Sequence, residues 1–313
     1  MMKDPPSNST SPTPEMGLAT ASSKVVVPLP SKETISAPAK NLKSQWNTKN
    51  LGGRLASDCA SAFCAASMVA PVISIIDRSI MENASGRATL SESLKSSFRN
   101  LLLRPQTVLF SKPVALIVML YGGTYLTANA LDTCTATVTN QPSTLVTAGT
   151  TKFFASSASN IGLCIYKDAV YVKMFGPTTG SPRPVSLPSY ALFTMRDCLT
   201  IFASFNVPPL LGPVFDSNMS NELRKKVSGQ TLAQFAAPAC VQLLSTPIHL
   251  LGLDLYNRPH SHTNMMSWQD RWGQVRRNWL TSSMARICRI VPAFGIGGTV
   301  NAKVRRSLME RLV

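Results

Sequence analysis

"ARICRIVPAFGIGGTVNAKVRRSL", Ala285 to Leu308, is the stretch on which the fold turns. Arg286 and Arg289 precede thirteen uncharged residues, and Lys303, Arg305 and Arg306 close the run. Basic residues that bracket an apolar run in this way suit a membrane span.

The rest of the chain agrees with that setting. Its 313 residues are 44% hydrophobic and only 15% charged, a low charge fraction for a soluble protein. Lys and Arg number 31 against 15 Asp and Glu, giving a net charge of +16. Such a balance suits nucleic acid, anionic lipid or anionic solutes. The basic residues sit beside apolar runs and not in an aromatic-interleaved patch, which argues against nucleic acid. The bilayer, with anionic phospholipid, is the expected partner. Seven cysteines show no CxxC pair or zinc spacing, and the His260/His262 pair after Pro259 has the character of a solvated loop. No Ser/His/Asp set, phosphate-cradling glycine loop or HExxH motif is present. No enzyme, cofactor or metal is therefore expected.

Residues 1–54 form a Ser/Thr/Pro/Lys-rich arm without apolar periodicity, expected to be disordered. Asp4, Glu15 and Glu33, and the lack of arginine before Arg54, make it a poor transit peptide, and no secretory signal is visible. Beyond it, Cys59–Ile76, Pro113–Leu131 and Val227–Leu253 are uncharged runs of spanning length. Three further segments carry charges. Phe153–Phe175 holds Lys167, Asp168 and Lys173; Leu187–Val214 holds Arg196 and Asp197; the opening stretch is the third.

Internal repetition joins these six segments. A hydroxyl stands two residues before an asparagine at Thr127/Asn129, Ser204/Asn206 and Thr299/Asn301, and "RNLL" at Arg99 is echoed by "RNWL" at Arg277. Asp77, Asp168 and Asp254 recur at intervals of about 90 residues. The units are 55–140, 141–226 and 227–313, each a helix-loop-helix. The first and third loops, "TLSESLKSSFRNLLLRP" and "SWQDRWGQVRRNWL", predict basic amphipathic helices lying along a membrane face. With the linker holding Lys173 and Arg183, they place the within-unit loops on the positive-inside face, Arg224, Lys225 and Lys226 being the exception. The expected fold is an all-α membrane protein of six transmembrane helices in three tandem repeats with short amphipathic surface helices.

This pattern resembles the mitochondrial carrier family. Arg289-Ile-Val-Pro292, the small-residue run and Asn301-Ala302 with Arg305 resemble that family's sixth helix, and "STPIHLLGLDLYNRP" from Ser245 stands where its odd helices carry Pro-x-acid-x-x-base. The resemblance implies a mitochondrial membrane, the inner before the outer. It also implies a cavity closed by a gate at each end, with Lys167 and His249 at one gate and Asn129, Asn206, Asn301 and Arg305 at the other. Ile117, Thr194 and Arg289, twelve residues before the asparagines, would line the cavity with Arg196 and Asp197. These five would contact a solute, the arginines holding its carboxylate or phosphate and Asp197 its amine. Pro71, Pro247 and Pro292 would kink their helices. The chain departs from the family in its gate charges. Pro71 is followed by Ile73 and Ile76, and Pro247 by His249 and Gly252, so that Lys167 alone of six expected gate charges is kept. Closure by amides and packing is the consequence expected. Two functions follow: transport of a small anionic or zwitterionic metabolite, or a non-transporting membrane scaffold, insertion or morphology factor on the same fold.

Overall fold

A computed structural model describes residues 46–147, 150–177, 184–258 and 267–312, and every regular element among them is helical. Most of the arm, Arg183 and the His260/His262 pair lie outside the described residues, as do the side chains of Asn206, Lys225 and Lys226.

The first spanning run lies within α1 (Leu51–Ser85), which continues through Pro71 and stops at Gly86. Gly86 has φ 78°, a left-handed conformation that costs a residue without a Cβ little, and its N–H donates to the Asn83 carbonyl. The amphipathic segment forms α2 (Leu90–Leu103), entered through a capping box in which the Thr89 hydroxyl accepts from the Glu92 N–H and the Glu92 carboxylate accepts from the Thr89 N–H. A short α3 (Pro105–Leu109) leads to α4 (Lys112–Val138), which contains the second run.

Next along the chain α5 (Thr150–Phe175) is followed by α6 (Leu187–Asn206) and α7 (Pro208–Asn218). The span expected over 187–214 is thus two helices. The Pro208-Pro209 pair explains the break, since two successive residues lack the N–H that would continue the hydrogen-bond ladder, although Val207 itself keeps helical backbone. After α8 (Asn221–Lys226), α9 (Gly229–Asn257) holds the third run and passes through Pro238 and Pro247 without ending.

The C-terminal helices depart most from expectation. "SWQDRWGQVRRNWL" is not a separate surface helix but the first part of α10 (Trp268–Cys288), continuous with Arg286. Nothing in Thr281–Ala285 stops a helix, and the break comes only where Pro292 opens a π-helical segment (Val291–Gly297) that runs into α11 (Gly298–Glu310).

These pieces make six rods: α1, α4, α5, α6 with α7, α9, and α10 through α11. Each packs against the next, and the sixth closes on the first. Their common core draws Val69 and Ile73 from α1, Ile117 from α4, Val172 from α5, Phe193 from α6, Leu250 from α9 and Val275 from α10. Three helices, Leu51–Ser85, Lys112–Val138 and Thr231–Asn257, are long and apolar enough to cross a membrane. Polarity is inverted relative to a soluble protein. Phe63, Phe154, Phe202, Leu210, Leu244 and Met284 are exposed, while Asp58, Asp77, Lys167, Asp168, Arg196, Arg271 and Arg305 are buried. Water rewards the opposite arrangement, whereas lipid outside and paired charge inside rewards this one. The chain is an all-helical membrane protein.

Candidate functional site

α1 carries two buried aspartates, Asp58 and Asp77. They are 19 residues apart, which at 1.5 Å per residue is about 28 Å, close to the thickness of a bilayer's hydrocarbon core. A polar layer is built around each.

In the Asp77 layer two carboxylates, Asp77 and Asp168, are each shared between two cations. Asp77 takes Lys167 of α5 at 2.8 Å and Arg289, just past α10, at 2.7 Å. Lys167 also contacts Asp168 at 2.6 Å, and Asp168 takes Arg196 of α6 at 2.8 Å. Arg196 reaches Asp197 at 2.6 Å and donates to His249 Nδ1 of α9 at 3.0 Å. Because guanidinium can only donate, His249 accepts at Nδ1 and carries its proton on Nε2. The chain of pairs thereby links the first, third, fourth, fifth and sixth rods. Three carboxylates (Asp77, Asp168, Asp197) balance three cations (Lys167, Arg196, Arg289). Cys164, Asp168 and Asp197 bring ligand atoms within 4.8 Å of one another, but they converge on Arg196, whose Nη2 lies 3.5 Å from the Cys164 sulfur. That guanidinium already supplies the cation, so the residues do not fit a metal. Nearer the end of the bundle, Asp254 takes Arg258 at 2.8 Å and Arg271 at 2.7 Å.

The Asp58 layer joins the first, second and sixth rods, and through Lys152 the third. Asp58 receives Arg305 Nε at 2.7 Å and the Thr133 hydroxyl at 2.5 Å. Asn129 and Asn301 exchange reciprocal amide hydrogen bonds at 2.9 and 3.0 Å, and Asn129 also donates to Ser61. Asp132 takes Lys152 at 2.7 Å and accepts from Thr147. Between the layers the Tyr125 hydroxyl donates to the Ala293 carbonyl at 3.0 Å, inside the π-helical segment.

Of the residues expected to contact a solute, Arg196 and Asp197 belong to the Asp77 layer, and Arg289 enters it through Asp77. Thr194 bonds the Tyr190 carbonyl of its own helix, and Ile117 is fully buried in the apolar core. Lys167 and His249 meet in one layer; Asn129, Asn301 and Arg305 meet in the other. Pro71 and Pro247 lie inside unbroken helices, and Pro292 stands at the π-helical break.

Closure by amides and packing is corrected by this geometry, since ion pairs hold both layers. Reading outward from each proline found Ile76 and Gly252, but the charges stand one and two residues later, at Asp77 and Asp254. The 90-residue recurrence of Asp77, Asp168 and Asp254 was the signal that located them. Sequence reading missed Asp58, which has no counterpart at the repeat interval.

No curated protein matches the chain. A family model described as "probable citrulline exporter" matches residues 61–309, taking in all six rods. This finding overturns the assignment to the mitochondrial carrier family, and the mitochondrial location implied by that resemblance loses its support. The chain belongs to the probable citrulline exporter family.

Proposed function

We propose that the protein is a six-span exporter of a small zwitterionic amino acid, citrulline being the solute in the family's description, and that the two polar layers are its gates. The observation that carries this reading is the chain of shared carboxylates in the Asp77 layer. Each of Asp77 and Asp168 has two cationic partners on different rods, and each cation is paired in return. A solute bearing both a carboxylate and an ammonium can replace protein partners on both sides of such a chain. Its binding then favours the state in which the rods part, which is how a ligand shifts a conformational equilibrium. The spacing of the layers supports closure at opposite faces of the membrane. Fixed ion pairs shielded from water are strong enough to hold a gate shut and costly enough to break only in exchange for new partners.

Proteoliposomes preloaded with unlabelled citrulline and challenged with labelled citrulline test this. Saturable exchange by the wild type, abolished in Asp77→Asn with the protein still folded and inserted, is the expected result. No exchange from folded, inserted wild type would sink the reading and favour a membrane scaffold.

A further inference from the structure

Arg286 stands apart from the balanced layer beside it. It is 3% exposed, and its one hydrogen bond among the described residues runs from Nε to Gln242 Oε1 of α9 at 2.9 Å. No carboxylate pairs with it among the described residues, although the charges of Arg196 and Arg289 repel it and those of Asp77 and Asp197 attract it. A buried guanidinium without a counter-charge is an expensive group to keep, and in a membrane span it marks a site.

Its surroundings are polar in a patterned way. On α9, Gln242, Ser245, Thr246 and His249 fall at i, i+3, i+4 and i+7, a single helical stripe, and all four are buried. On α10, Ser282, Ser283 and Arg286 are buried as well. The helices run antiparallel, and the Gln242–Arg286 bond sets their register. Thr246 therefore stands level with Ser282, and Ser245 with Ser283. The hydroxyls of Thr246, Ser282 and Ser283 are buried without any hydrogen-bond partner. Beyond the stripe, Asp197 keeps Oδ2 unpartnered while Oδ1 holds Arg196. Native interiors leave few such groups unsatisfied, and here three donor hydroxyls and a cation line one helix pair, with an unpartnered carboxylate oxygen on α6, which packs against α9.

Resting on the exporter reading, we infer that the α9–α10 seam is the substrate site, closed in this state and built for an α-amino acid with an uncharged hydrogen-bonding side chain. Arg286 takes the α-carboxylate in a bidentate pair, Asp197 Oδ2 accepts from the α-ammonium, and Thr246, Ser282 and Ser283 serve a ureido or amide end that both donates and accepts. Hydroxyls suit that end because each can reverse its role. A cationic side chain is disfavoured, since Arg196 and Arg289 already border the seam. Arg196 and Arg289, the arginines first expected to bind solute, are occupied by Asp168 and Asp77 and act as gate groups.

The test is competition for labelled citrulline exchange in proteoliposomes, comparing unlabelled citrulline, its decarboxylated counterpart and ornithine. Wild type should favour citrulline over the decarboxylated compound by about tenfold or more, the worth of one charge-assisted pair. Arg286→Gln should raise half-saturation for citrulline by a similar factor and bring the two competitors to near equality, an outcome that a merely structural role for Arg286 does not produce. Thr246→Val with Ser282→Ala, which preserves volume and charge, should weaken citrulline and improve ornithine relative to it. Should Arg286→Gln melt, this pair and the wild-type competitor ranking still decide. Wild-type exchange with unaltered selectivity in both variants would overturn the site and leave the exporter standing; no wild-type exchange would remove the exporter first.

Discussion

At the scale of single residues, the Asp58–Arg305 pair is the sharpest test of how the Asp58 layer holds. Asp58 is fully buried and Arg305 nearly so, and their separation in sequence is 247 residues. Losing either partner leaves the other charged in a site with little water, a cost of about 3–5 kcal/mol for buried pairs. Asp58→Asn and Arg305→Gln should therefore each lower the melting temperature in detergent strongly, and the double variant should lose much less than the sum of the two. Additive losses would show that the pair is not coupled. The sequence displayed these residues without displaying the pairing. Arg305 was legible because it follows the Asn301 repeat, whereas Asp58 has no counterpart in the other units and its role comes only from closure of the ring. Arg286 was visible as a charge ahead of an apolar run. Its lack of a carboxylate partner depends on where Asp77 and Asp197 point, which no spacing reports.

At the scale of elements, helix entry and exit were largely legible, and tertiary fit was not. The capping box at α2 could be read from Thr89 and Glu92. The Thr89 hydroxyl and N–H both donate to the Glu92 carboxylate and hold its pKa below the usual glutamate value. A carboxylate so depressed contributes helix stability in full above its unfolded value, and that contribution is lost as pH falls through the lower folded value. Amide exchange at Glu92 and Ser93, whose N–H groups bond to Thr89, should thus, once corrected for its intrinsic pH dependence, stay slow through the ordinary glutamate range and quicken only beneath it. In Thr89→Ala it should be fast throughout. The π-helical segment could not have been read, because its Pro292 is compatible with an ordinary kink. It depends on Gly297: a Cβ there would collide with the Tyr125 hydroxyl and press on Val69. Gly297→Ala should destabilise the protein, and Tyr125→Phe, which removes the obstructing oxygen, should recover part of the loss. A double variant no more stable than Gly297→Ala alone would show that the contact is not what the glycine serves.

At the scale of the whole molecule, six helical segments, three apolar spans and charges lining an interior could be taken from the sequence, and the partners those charges find inside the bundle could not. Alternation of apolar and charged residues looks alike whether the charges face solvent or each other; only the packing distinguishes them. The cysteines offer a direct check. Cys64, Cys198, Cys240 and Cys288 are exposed on the outside of the bundle, whereas Cys164 is buried among charges. With lipid covering that outside, a membrane-impermeant maleimide applied from both faces should leave all four unlabelled in intact membranes and label them after denaturation. A lipid-soluble thiol reagent should reach them without denaturation. Labelling of Cys240 or Cys198 by the impermeant reagent would mean that water, not lipid, lies against those rods.

The bond between Asp77 and Arg289 has a consequence for how the protein is made. Its partners are 212 residues apart in the chain, and the aspartate is synthesised first. At ordinary synthesis rates the first rod waits roughly 10–40 s for the last. Throughout that interval a carboxylate destined for the interior has no arginine from the sixth rod. The ribosome and the insertion machinery must shelter it, or the nascent rod must hold back from lipid. A chain truncated after Cys288 never ends this wait, and pulse-chase should find it cleared by quality control while the complete chain persists.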